Sequence, residues 1–146
     1  MENNNVIANI GDANLKLAVQ GIDYLCQACF INAHKKGFWQ EYHDIHNVLR
    51  EADRVQGSKL AEGYERAFFA QRLALIHSEI SEALEGDRKD LMDDKLPHRK
   101  MKDVELADAV IRAFDLAGGK RIPLAEIIAE KMGYNSTREY LHGKKY

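Results

Sequence analysis

Residues 69–84 read FAQRLALIHSEISEAL, and this stretch decides the fold. Its apolar residues recur three or four positions apart, which places them on one face of an α-helix. The members of that face are Phe69, Leu73, Ile76, Ile80, Ala83 and Leu84. We expect a long helix over about residues 62–87, weakened near its end by Gly86.

The segment before this stretch has the same helical spacing. A first helix is predicted from about Asp12, a good N-cap, to His34 or Lys36. Gly37 is its expected stop. A connection that continues as a short helix through Leu49 should then contain Phe38, Trp39 and Tyr42. The polar residues 50–59 are predicted to form a flexible loop.

The segment after the stretch predicts a helical hairpin. Residues 88–100 are charged and contain Pro97, which is typical of a connection between antiparallel helices. A third helix is expected over about residues 100–116, with Gly118 and Gly119 as its stop. Its predicted inward residues are Val104, Ala107, Val110, Ile111 and Phe114.

A fourth helix should begin at Pro123 and end near Met132, with Gly133 as its C-cap. Only two prolines occur, and most other residues favour helix. A chain of 146 residues with 45% hydrophobic content normally closes one core. The sequence therefore predicts one all-α domain over residues 1–146, an antiparallel bundle of four to five helices.

Composition excludes several classes of protein. The chain has 21 basic and 23 acidic residues, so its formal charge of −2 provides no positive field for a nucleic-acid polymer. The N-terminus, Met-Glu-Asn-Asn-Asn, lacks the features of a signal peptide, and no run approaches the ~20 apolar residues of a membrane span. We expect a soluble, cytoplasmic protein.

Cys26 and Cys29 are the only cysteines in the sequence. A Cys-x-x-Cys motif can be a redox pair or half of a zinc site, but no second pair occurs. The surrounding residues repeat at helical spacing and lack the strand that precedes a thioredoxin-type motif. We expect two reduced, half-buried packing residues.

Four acidic residues form two pairs, Glu79 with Glu82 and Glu105 with Asp108. Residues three apart on a helix lie within about 60° of each other, so two such carboxylates can converge on one ion. If the two helices pack as an antiparallel hairpin, the pairs face each other in an all-oxygen site. Such a site suits Mg²⁺ or Mn²⁺.

The spacing also leaves two other classes of protein open. Both pairs lie at the border of a predicted apolar face, where four carboxylates are costly without a cation. Glu-x-x-Glu is nevertheless common on solvated helices, as in a non-catalytic helical interaction module. A di-iron carboxylate bundle usually has Glu-x-x-His on two helices, whereas positions 82 and 108 are Glu and Asp here.

Four blocks of sequence carry a resemblance to a known family. Residues 75–85 read LIHSEISEALE. Glu105-Leu-Ala-Asp108 follows, with 22 residues between Glu82 and Glu105. Residues 131–138 read KMGYNSTR, and residues 32–39 read NAHKKGFW. Together these blocks resemble the MazG-like, all-α nucleoside triphosphate pyrophosphohydrolases.

The resemblance implies a nucleoside triphosphate diphosphatase that converts an NTP or dNTP and water to monophosphate and pyrophosphate. Glu79, Glu82, Glu105 and Asp108 would hold Mg²⁺ and form the catalytic group, with Glu82 or Glu79 as the base. The family's assembly implies a homodimer or homotetramer.

The resemblance also implies residues that bind the substrate. Lys131 and Arg138 would contact phosphate, and Asn135 would supply a neutral hydrogen bond. Lys36 is a further candidate for phosphate, and Trp39, with its neighbour Phe38, for stacking on a base. The alternative for Trp39 is that it closes the core, as aromatic residues after a helix-ending glycine often do.

Overall fold

The computed structural model describes residues 11–56 and 59–138, and this part of the chain forms five α-helices and one isolated β-bridge. The helices are α1 (Gly11–Lys35), α2 (Gln40–Gln56), α3 (Leu60–Arg88), α4 (Met101–Lys120) and α5 (Leu124–Ser136). The all-α prediction is therefore confirmed for the described residues. None of these helices has both the length and the apolar character that would let it cross a membrane.

Helices α3 and α4 form the predicted antiparallel hairpin. Contacts between them run in opposite directions along the two helices, from Gly86 beside Met101, through Glu79 with Arg112, to Glu65 with Lys120. Helix α1 packs against α4, α2 against α3, and α5 against α1. The hairpin is thus the centre of the fold, and the other helices cover its sides.

The corner between α1 and α2 is made by a glycine. Gly37 has a φ of +84°, which a residue with a side chain rarely adopts, and it ends α1 as predicted. The following helix is longer than expected, because residues 50–56 continue α2 and were predicted as loop. The prediction was wrong because a polar helix needs only one side packed against the protein. Its solvent side is stabilised by ion pairs between residues one turn apart, such as Glu51 and Arg54 at 2.8 Å. Residues 57–58 lie outside the described part.

The core is built around Trp39, which has no exposed surface. Its ring packs edge-on against Phe30 and Tyr42, with centroids 5.3 and 5.6 Å away, and lies 5.3 Å from Phe68. Its indole Nε1 donates a 2.7 Å hydrogen bond to Asp115. One side chain therefore joins α1, α2, α3 and α4.

Gly118 and Gly119 do not stop α4, contrary to the prediction. The helix continues to Lys120 and ends at Arg121, which has a left-handed φ of 53°. A Cβ at Gly119 would lie 2.3 Å from the Trp39 ring, and one at Gly118 would lie 2.4 Å from the carbonyl oxygen of Cys26. These glycines therefore allow close packing inside a helix. Gly133 likewise lies inside α5, which extends to Ser136 instead of ending near Met132.

The buried sides of α3 and α4 also differ from the predicted apolar faces. On α3 the buried residues are Ala61, Phe68, Glu79 and Gly86, and on α4 they are Ala109, Asp115, Leu116, Ala117 and Gly118. Several residues predicted to point inward are about half exposed, namely Leu73, Ile80, Leu84, Val110 and Ile111. Both helices are apolar on more than one side. The sides with small residues are the buried ones, because small side chains let the two helix axes come close together.

The two cysteines are packing residues, as predicted. Cys26 is buried, Cys29 is half-buried, and both are free thiols. Burial raises the pKa of each thiol, so neither is activated as a nucleophile.

Candidate metal centre and adjoining cavity

The surface between α3 and α4 is unusually polar. On α3, Glu65, Arg72 and Glu79 stand seven residues apart, and on α4 the same spacing separates Asp108 from Asp115. Seven-residue spacing keeps side chains on the seam between two packed helices, which is normally apolar. Charged residues at these positions are costly to bury and must have partners.

Most of the charges on this seam are paired with an opposite charge. Lys120 Nζ donates to Glu65 Oε2 at 2.5 Å, and Arg72 Nη1 lies 3.8 Å from Asp115 Oδ2. Arg112 Nε donates to Glu79 Oε1 at 2.5 Å. Each of these three pairs joins one acid to one base.

An excess of negative charge occurs at one place on the seam. One carboxylate oxygen from each of Glu79, Glu105 and Asp108 lies within 4.8 Å of the others. Glu79 is 6% exposed, and the other two are half-buried. Arg112 is the one cation with a described ion pair to this group, so three acids share one base. This imbalance distinguishes the group from the rest of the seam.

The pKa shifts of the group have the cause expected for crowded carboxylates. Burial raises the pKa of Glu105 to about 7, assisted by a hydrogen bond to Glu79 and by the charges of Glu82, Glu79 and Asp108. Burial and the Glu79 charge also raise the pKa of Asp108, whereas Arg112 lowers it. A cation bound by these carboxylates would relieve this repulsion.

The donor set fits a hard divalent cation. Carboxylate oxygens are the ligands that Mg²⁺ and Mn²⁺ prefer, and the group contains no histidine or cysteine among the described residues. Three of the four predicted ligands are therefore close together. Glu82 is exposed and lies outside the group, one helical turn from Glu79. Its charge still raises the pKa of Glu105, so its carboxylate is near enough to act on the site.

A cavity of about 260 Å³ adjoins the acidic group. Asp108 belongs both to the group and to the cavity wall, and Arg72 and Arg112 supply two positive charges to the same wall. Asn32 from α1 adds an amide, and Phe38 adds an aromatic ring that is 68% exposed. Asp115 lines the wall as well, so the wall combines two acids, two cations, a neutral polar group and an exposed ring.

Three charged residues of this site were missed by the sequence reasoning. Arg72 precedes Glu79 by seven residues, and Arg112 and Asp115 follow Asp108 by four and seven. All three positions lie on the same face of their helix as the acids. Helical spacing from the predicted ligands would therefore have found them.

Trp39 is corrected from a base-stacking candidate to a core residue. A ring with no exposed surface has no face to offer a ligand. Its neighbour Phe38 lines the cavity instead, while the Phe38 carbonyl oxygen accepts a 2.6 Å hydrogen bond from Arg72 Nη2. The aromatic residue available to a ligand is thus one position earlier.

The remaining candidates for substrate binding are not among the residues that line this cavity. Lys36 is exposed in the turn after α1, and Lys131 and Asn135 are exposed on α5. Arg138 is exposed just after α5, where its backbone N–H donates to the Asn135 carbonyl at 3.2 Å. Lys131 Nζ lies 4.6 Å from the centroid of the Tyr134 ring. Their contact with substrate stays a prediction.

Comparison with protein-family models, with curated proteins and with solved structures gives no match.

Proposed function

We propose that the chain is a Mg²⁺-dependent nucleoside triphosphate pyrophosphohydrolase of the MazG-like kind. The observation that carries this proposal is the position of the acidic group, which opens through Asp108 on a cavity with two arginines. Carboxylates that bind a divalent cation beside arginines that bind phosphate are the parts a polyphosphate substrate needs. The sequence blocks that resemble this family supply the reaction type.

Different residues of the chain would bind the metal and the substrate. Glu79, Glu105 and Asp108 would hold Mg²⁺, and Glu82, the fourth predicted ligand, lies outside this group. The ion supplies charge neutralisation at the phosphates and a more acidic bound water. Arg72 and Arg112 would hold the phosphate chain, and Phe38 would stack on the base.

The base that takes a proton from the attacking water is assigned to Glu82, the first of the two candidates from the sequence. The exposure of its side chain supports this assignment, because an exposed carboxylate can reach a water molecule. The burial of Glu79 and its ion pair with Arg112 argue against the other candidate. The water attacks a phosphorus atom on one side of the oxygen that bridges the α- and β-phosphates. The bond from that phosphorus to the bridging oxygen breaks, and monophosphate and pyrophosphate leave.

The direct test is a panel of canonical ribo- and deoxyribonucleoside triphosphates incubated with the protein and Mg²⁺. We expect pyrophosphate and monophosphate in equal amounts from at least one nucleotide, and no release after chelation of the metal. Orthophosphate as the sole inorganic product would contradict the bond specificity. Absence of any phosphate release across the panel would contradict the enzyme itself.

We also propose that the protein is a homodimer or homotetramer. Support comes from the large apolar side chains that the described residues leave on the outside of the hairpin, since such patches usually mark an interface. They include Leu73, Ile80 and Leu84. Multi-angle light scattering should give a mass of at least twice 16.6 kDa. A single species of 16.6 kDa at micromolar concentration would contradict this expectation.

A further inference from the structure

Arg112 occupies a position between two possible partners. Its Nε donates to Glu79 Oε1 at 2.5 Å, while its side chain, 43% exposed, also lines the cavity. Within residues 11–56 and 59–138, its two terminal nitrogens have no hydrogen-bond partner. The guanidinium therefore contacts a candidate metal ligand through one nitrogen and has donors left for a substrate.

The ion pair and a metal ion require the same carboxylate. Glu79 is buried, so its charge needs a nearby cation at all times, and Arg112 is the cation with a described contact. A divalent ion at Glu79, Glu105 and Asp108 would supply that charge itself and would repel the guanidinium. Binding of the ion should therefore weaken the bond between Arg112 and Glu79.

A guanidinium released from Glu79 remains at the cavity, whose wall also holds the carboxylates of Asp108 and Asp115. Arg112 follows Asp108 by one turn of the same helix, and both residues line the cavity. The long arginine side chain can change its rotamer without a change in the backbone. The planar fork of arginine matches a phosphate group with two parallel hydrogen bonds. The cavity also holds Arg72, so a polyphosphate would meet two cations there.

We propose that Arg112 is a substrate-binding residue that exchanges partners, holding Glu79 until the divalent cation binds and then holding a phosphate of the substrate. Binding of the cation and binding of the substrate are thereby coupled, because the ion releases the arginine that binds the phosphate. This inference rests on the proposed function. It predicts opposite effects of one substitution on the two ligands.

The experiment measures Mn²⁺ binding by calorimetry without nucleotide, and then KM at saturating Mn²⁺. In Arg112→Ala the competing cation is gone, so Mn²⁺ should bind roughly five- to tenfold tighter than in the wild type. KM for the triphosphate should rise roughly tenfold, because a charge-assisted contact to phosphate is lost. The thermal midpoint without Mn²⁺ should fall, and its rise on adding Mn²⁺ should exceed that of the wild type.

Two further variants complete the test. Arg66→Ala removes the same charge from an exposed arginine, 73% exposed and 4.0 Å from its partner, and should change neither ligand. Arg112→Gln keeps most of the side-chain volume and replaces the Ala variant if that protein does not fold. Unchanged or weaker Mn²⁺ binding in the Arg112 variants would overturn the exchange, and so would tighter Mn²⁺ binding with unchanged KM. Wild-type protein that binds no Mn²⁺ or releases no pyrophosphate would instead refute the proposed function.

Discussion

Asp108→Asn is expected to lower kcat for pyrophosphate release by at least about 10³-fold, since a lost metal ligand removes several kcal/mol of transition-state stabilisation. Asp108 is the residue that the acidic group shares with the cavity, so this change affects both the ion and the substrate. Asparagine keeps the size of the side chain and removes its charge. Folding should survive, because the substitution also relieves repulsion from Glu79.

The measurement is a pyrophosphate assay at a series of Mg²⁺ concentrations. Asp103→Asn is the matched control, since it makes the same chemical change in the first turn of the same helix at an exposed position outside the group. We expect the control to stay within twofold to threefold of the wild type, roughly the range of a surface substitution. Similar losses in both variants, or normal activity in Asp108→Asn, would contradict the metal centre.

Trp39→Ala is expected to destabilise the protein by about 3–5 kcal/mol, the usual range for removing a buried aromatic side chain. The ring packs against residues of three helices, and its loss leaves a cavity against Phe30, Tyr42 and Phe68. It also removes the hydrogen-bond donor of Asp115, which is buried. The loss would be a large part of the ~5–15 kcal/mol that stabilises a typical domain.

Urea denaturation measures this effect, and the neighbouring residue provides the control. Phe38→Ala removes an aromatic ring that is 68% exposed, so stability should change by less than about 0.5 kcal/mol. Because Phe38 lines the cavity, the same variant should raise KM for the substrate. A Trp39→Ala protein as stable as Phe38→Ala would show that the ring does not hold the core together.

The existence and type of the helices followed from the sequence, but several boundaries did not. Helix α3 was expected over about 62–87 and is observed at Leu60–Arg88, within two residues of the prediction at each end. Helix α2 was cut short in the prediction, since its second half is polar and the sequence alone does not show that it packs on α3. The Gly118-Gly119 pair was misread as a stop, because the groups that require these glycines, the Cys26 carbonyl and the Trp39 ring, are about 90 and 80 residues away in the chain.

Part of the candidate site could be predicted from the sequence. Residues three apart on one helix must share a face, so the pairs around Glu79 and Asp108 could be recognised from spacing. Their closeness across two helices depends on the register of the hairpin, which spacing does not determine. The register brings Glu79 to Glu105 and Asp108 and leaves Glu82 exposed.

The sequence by itself determined the helical class, the hairpin and which acids share a face of one helix, because these properties depend on neighbours within a few positions. Tertiary structure alone decided which sides of α3 and α4 are buried, that Trp39 is a core residue, and that Arg112 pairs with Glu79. These properties depend on how helices distant in the chain approach each other. Small residues set that approach, and helical periodicity does not distinguish between two apolar sides of one helix.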